Sequence, residues 1–86
     1  MDMTAAKIRA KLADGLLPTD LPTTSWGGQG SGKPCDGCGE LIHSTELEHE
    51  LVFDDRASLR FHVACDLIWQ SLRSQMRKEA PEARVS

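Results

Sequence analysis

WGGQGSGKPCDGCGE, residues 26–40, holds two motifs that share a border. Gly27 to Lys33 follows G-x-x-x-x-G-K, the skeleton of a phosphate-cradling loop, and Cys35 to Gly39 follows C-x-x-C-G, the skeleton of a metal knuckle. A phosphate loop needs a hydroxyl after the lysine for magnesium, a strand before it and a helix N-terminus after it. Here Pro34 follows Lys33, the polar run LPTTS precedes, and a tight turn follows. We therefore expect no nucleotide at this loop and read the stretch from its cysteines.

Outward from the knuckle, the chain offers one more closely spaced pair of metal-binding side chains. His62 and Cys65 form H-x-x-C, separated from C-x-x-C by the 23 residues from Gly39 to Phe61. Two short-spaced pairs around a hairpin-length insert give a tetrahedral Cys₃His layout, with Cys35, Cys38, His62 and Cys65 as metal ligands. The C-x-x-C turn brings both sulfurs to one side, and Gly37 and Gly39 ease a sharp turn. Backbone N–H groups of that turn can donate to the thiolates. His62 and Cys65 stand at the start of a helix, on one face, where thiolate charge meets the positive end of the helix dipole. A redox dithiol would want a thioredoxin-like context, absent here. PCDG also resembles part of the CDGSH iron–sulfur motif, but Gly39 stands where that motif has its histidine. Of the other histidines, His49 lies on the apolar face of a strand and is expected to be packed and hydrogen-bonded; His43 is expected at the surface.

Eighty-six residues allow one small domain, whose core is marginal at this length. Three cysteines cannot close fully into internal disulfides. The first residues interleave charge with apolar side chains, unlike a secretory signal, and no run approaches the length of a membrane span. We expect a cytoplasmic, reducing location, where grouped cysteines mean metal or redox chemistry. The net charge is −3, but it is unevenly placed: +1 over residues 1–33, −5 over 34–62 and +1 over 63–86. The acidic middle is the wrong sign for a nucleic-acid backbone.

Along the chain, 4–14 reads as a helix with Thr4 as N-cap, Ile8, Leu12 and Ala5 on one face, and Gly15 as its stop. Residues 15–34 hold thirteen Gly, Pro, Ser or Thr, which predicts no regular structure. Leu16, Leu17, Leu21 and Trp26 punctuate that stretch, so we expect residues 16–34 to be an extended arm packed on the domain, with Trp26 as its anchor. ELEHELVF, residues 46–53, alternates. Leu47, His49, Leu51 and Phe53 are expected inward, and Glu46, Glu48, Glu50 and Val52 outward on a solvated acidic face. SLRFH, residues 58–62, is the return strand, and 63–78 is a helix with Cys65, Ile68 or Trp69, Leu72 and Met76 on its apolar stripe. The tail 79–86 is expected to fray. The organisation is thus a helix over 1–15, the arm over 16–34, a zinc domain over 35–78 and the tail.

With the knuckle, Ile42 and FHVAC in view, residues 35–65 resemble the first zinc module of a LIM domain. The resemblance implies a small α+β, treble-clef-like fold: knuckle, β-hairpin and C-terminal helix, here with an added N-terminal helix. It departs from a full LIM domain after Cys65, where DLIWQ replaces the next C-x-x-C. The chain also resembles a set of small bacterial zinc-binding proteins of uncharacterised activity, which implies a bacterial, cytoplasmic protein. We expect one structural Zn²⁺ and no catalytic residues, because four protein ligands leave zinc no open position. The expected role is non-enzymatic: a monomeric protein-interaction module or regulator, with another protein as partner and no membrane. Two alternatives stand beside it, a nucleic-acid-binding zinc finger using Arg56, Arg60, Arg73, Arg77, Lys78 and Arg84, and a redox or zinc-responsive switch.

Overall fold

The hairpin and the last helix grow from the local patterns that signal them. The computed structural model describes residues 3–78, with α1 over Thr4–Ala13, β1 over Thr24–Gln29, β2 over Leu47–Val52, β3 over Leu59–His62 and α2 over Val63–Lys78. The result is a small α+β fold, two helices against a three-stranded antiparallel sheet of order β1-β2-β3. β2 and β3 pair with His49 opposite Phe61 and Leu51 opposite Leu59. Paired residues share a face, so these four point together toward α2. α2 buries Cys65, Trp69 and Leu72 at helical spacing and ends on Arg77 and Lys78, cations suited to the negative end of the helix dipole. Trp69 meets Phe61 at a ring separation of 5.7 Å and Phe53 edge-on at 6.5 Å, which forms the centre of the core.

α1 lies against α2 and buries Ile8 and Leu12, one turn apart. Ala5, expected on the same face, is exposed. The helix closes on Gly15 at φ +76°, with Gly15 N–H donating to Leu12 O and Leu16 N–H to Lys11 O. That pair of bonds is the Schellman arrangement, which needs the left-handed conformation glycine adopts without strain. Thr4 is not the N-cap. Lys7 N–H donates to Met3 O, so Met3 is the capping residue and Thr4 already belongs to the first turn.

The arm differs most from expectation. Residues 24–29 are a strand, β1, in register with β2 from Thr24 opposite Val52 to Gln29 opposite Leu47. Thr24 and Trp26 favour a strand, but the paired glycines Gly27 and Gly28 disfavour one; β2 supplies the partner hydrogen bonds that the composition cannot foretell. Past β1, Gly30 N–H donates to Glu46 O, Gly32 N–H to Ile42 O, and Ile42 N–H to Lys33 O. Gly30 packs so closely on the His43 carbonyl that a Cβ has no room there. Trp26 is not the anchor: it is 63% exposed, because it stands opposite Glu50 on the sheet face turned away from α2. Leu17 and Pro18 dock instead, and Trp69 Nε1 donates to Pro18 O at 2.9 Å. Leu16 and Leu21 remain exposed.

β2 also inverts part of its expected pattern. Leu47 is 65% exposed at the sheet margin, whereas Glu48 is only 6% exposed. The loop after β1 covers Glu48: Ser31 donates its N–H and hydroxyl to Oε1 at 2.9 and 2.7 Å, and Arg60 Nη1 donates to Oε2 at 2.9 Å. The acidic face is therefore partly roofed and neutralised rather than solvated. No helix among the described residues is long and apolar enough to cross a membrane. The frayed tail expected over 79–86 lies outside the described residues.

Candidate metal centre

Cys35 and Cys38 sit on a turn clamped at its base by the Pro34–Leu41 bridge. Cys35 N–H donates to Glu40 O and Gly39 N–H to Cys35 O, with Gly39 at φ +85° completing the reversal. Gly37 serves a different purpose from that expected of it. Its backbone is not left-handed, but a Cβ there would come within 3.2 Å of Ile8 Cδ1 and 3.3 Å of Cys65 Cβ. The knuckle is thus wedged between both helices. His62 ends β3 and Cys65 lies in the first turn of α2, so the strand-to-helix junction presents the second pair.

These four side chains converge: the Sγ atoms of Cys35, Cys38 and Cys65 and a ring nitrogen of His62 all lie within 4.8 Å of one another. His62 Nδ1 is 3.5 Å from Cys38 Sγ and 3.8 Å from Cys65 Sγ. A tetrahedron with Zn–S arms of about 2.3 Å and a Zn–N arm of about 2.1 Å has S···N edges of about 3.6 Å. The far nitrogen, Nε2, lies 3.1 Å from Leu41 O, which can only accept. That contact selects the Nε2–H tautomer and leaves the Nδ1 lone pair facing the sulfurs, the arrangement a metal-bound histidine takes. Gly37 N–H donates to Cys35 Sγ at 3.3 Å. Three soft sulfurs and one imidazole suit zinc, and together they could hold one ion.

Protein charges alone strain this cluster in a telling way. Burial pushes the Cys35 thiol up, but N–H groups of Cys38, His62 and Gly37 outweigh it and hold the thiol below its ordinary value. Cys65 goes well above its own, first through burial and then through the adjacent Cys35 and Cys38 sulfurs. Burial would lower His62, yet the Cys35 sulfur beside it holds it higher than usual. The cluster favours one thiolate and resists another beside it, an imbalance that a divalent cation would relieve. Cys35 and Cys65 are buried, whereas Cys38 is half-buried and, with His62, borders an open hollow of about 420 Å³.

Side chains other than the four ligands hold the centre in place. Asp36 N–H donates to Arg60 O and Arg60 N–H to Asp36 Oδ2 at 2.7 Å, which ties the knuckle to β3. Lys11 Nζ of α1 donates to Asp36 O. On the other side of the sheet's inner face, His49 Nδ1 meets Asp66 Oδ2 at 2.6 Å, and Gln70 steadies the other carboxylate oxygen. Asp66 is 2% exposed and was not foreseen as buried; the only hint was a carboxylate one residue past Cys65, near the positive helix end. His43 is exposed and its backbone N–H is capped by Glu46. The segment 27–33 runs out of a strand into the knuckle turn, without the helix start that a phosphate loop uses. No family model, no curated protein and no solved structure matches this chain.

Proposed function

We propose that this chain is a zinc-stabilised, non-enzymatic domain of treble-clef type that acts as a protein-interaction module or regulator. The observation that carries the reading is the S₃N cluster, two short-spaced ligand pairs from knuckle and helix start converging within 4.8 Å. Four protein ligands close the zinc shell, so the ion is structural, and structural zinc contributes roughly 10–16 kcal/mol to folding in small fingers. The knuckle packs against Ile8 and Lys11 of α1, and Cys65 sits in the first turn of α2, so losing the ion would loosen both helices together. The LIM-like spacing supports the interaction role by analogy alone.

The test is metal content and metal-dependent folding. The purified chain should hold one zinc per molecule, take up Co²⁺ with the visible absorption of a tetrahedral thiolate site, and lose its circular-dichroism signal on strong chelation. Cys38→Ser should lose the cobalt signature and most of the folded signal. A chain without bound metal whose fold survives chelation would refute the reading. A redox-responsive role is the second reading, favoured by one observation: of the three thiols only Cys38 is half-buried rather than buried, and it borders the open hollow. Peroxide should then release zinc much faster from this chain than from fingers with fully buried sulfurs.

A further inference from the structure

Among the described residues, the edge of β1 has none of the devices that normally close a sheet. β1 is terminal in the sheet order, and all six of its residues are exposed. Gly30 N–H bonds to Glu46 O, so by alternation Gly28 and Trp26 turn their backbone toward β2 and Ser25, Gly27 and Gln29 turn theirs to the open side. Natural edges are shielded by charge, proline, a bulge or a covering element. TSWGGQ carries no charge and no proline, and α2 packs on β2 and β3 without touching β1.

Beside this edge lies an unmatched acid. Trp26 and Glu50 are direct cross-strand neighbours, and with Gly27, Gly28, Gln29 and Glu48 they line a hollow of about 200 Å³. Glu48 is saturated by Ser31 and Arg60. Arg60 faces Glu50 across the β2–β3 pairing but reaches for Glu48, so Glu50 has no hydrogen-bond or ionic partner among the described residues. An exposed indole face beside a free carboxylate is suited to a cation, which gains from the ring and the charge together.

We infer that the β1 edge docks an extended, basic segment of another protein, which adds as a fourth strand and sets an arginine or lysine against Trp26 and Glu50. Main-chain bonds to Ser25, Gly27 and Gln29 would give affinity, and the Trp26–Glu50 pair would give selectivity. A second copy of this chain fits less well: it brings the same free carboxylate to the edge and no cation, since Arg60 is engaged. The inference rests on the interaction-module reading and names its surface.

The test starts from a random peptide-display selection against the zinc-loaded full chain. The strongest enriched peptide is then synthesised and titrated by Trp26 emission and amide shifts. Expected are peptides rich in arginine or lysine that shift Ser25, Gly27 and Gln29. Gly28→Val should weaken binding of the basic peptide while preserving the fold, because a Cβ at Gly28 meets nothing within 4 Å and the larger side chain fills the hollow where the arginine or lysine would sit. Glu50→Gln should weaken binding about fivefold, the equivalent of ~1 kcal/mol for a partly exposed ion pair. No enrichment, enriched peptides without basic residues, or binding unchanged in Gly28→Val would overturn the inference. So would a concentration-dependent dimer that Gly28→Val dissolves, which would make the occupant a second copy. Zinc measured on the same samples separates the failures. A zinc-loaded, folded chain with no edge binder sinks this surface alone, and a folded chain without zinc sinks the metal reading.

Discussion

Gly37→Ala probes the wedge that couples α1 to the metal centre. The new methyl would sit 3.2 Å from Ile8 Cδ1 and 3.3 Å from Ile8 Cγ1 and Cys65 Cβ. Carbon pairs prefer about 3.5–4.0 Å, so each contact is short by a few tenths of an ångström. Ile8 is fully buried and cannot swing into solvent, and Cys65 is held by α2 and its place in the cluster. Overpacking of this kind costs about 1–3 kcal/mol. The backbone at Gly37 is not left-handed, so alanine recovers about 0.4–1 kcal/mol by restricting the unfolded chain. The net loss should be about 1–2 kcal/mol, which lowers the melting temperature of a domain this size by about 4–16 °C. Ile8→Val removes Cδ1, the closest atom, and alone should cost about 0.5–1.5 kcal/mol. The double variant should cost less than the sum of the two, because the shorter side chain makes room for the methyl. The assay is thermal and denaturant unfolding at fixed free zinc, since bound metal shifts apparent stability. If Gly37→Ala is as stable as the parent, or if the double variant is strictly additive, the wedge does not exist as described.

The two tryptophans should separate cleanly. Trp69→Phe orphans the buried Pro18 carbonyl and should cost about 1–3 kcal/mol, whereas Trp26→Ala should change stability by less than about 0.5 kcal/mol; acrylamide should quench Trp26 emission and spare Trp69. Glu48 should shape the acid limb of stability. Burial raises its carboxyl, but hydrogen bonds from the Ser31 hydroxyl and amide and the Arg60 charge outweigh it and hold the group below its ordinary 4.5. A depressed carboxyl stabilises above its unfolded value and loses that contribution as pH falls through the folded one. The stability difference between parent and Glu48→Gln, measured by denaturant unfolding, should therefore be full at neutral pH and shrink below 4.5; a difference independent of pH would show that Ser31 and Arg60 do not hold the carboxylate.

The cluster and the elements next to it were legible because their signals are local. Cys35–Cys38 and His62–Cys65 are each three residues apart, a spacing that a turn or a helix start converts directly into convergence. The stripe Cys65, Trp69, Leu72 set α2 over 63–78, and Ile8 with Leu12 set the buried face of α1, since a helix's periodicity is a property of its own residues. β1 was not legible. Gly27 and Gly28 interrupt its strand preference, and its partner lies about twenty residues away, so only the assembled sheet makes it a strand. The same distance decided which side of β2 is inside. Alternation assigns side chains to two faces but says nothing about what will cover each one. α2 covers the face with Leu51, the Ser31 loop returns over Glu48, and no described residue covers the edge at Trp26. A large aromatic in a glycine-rich stretch therefore became an exposed ring, and a glutamate in an acidic strand became a buried, paired charge, because burial depends on chain segments that only the tertiary fold brings together.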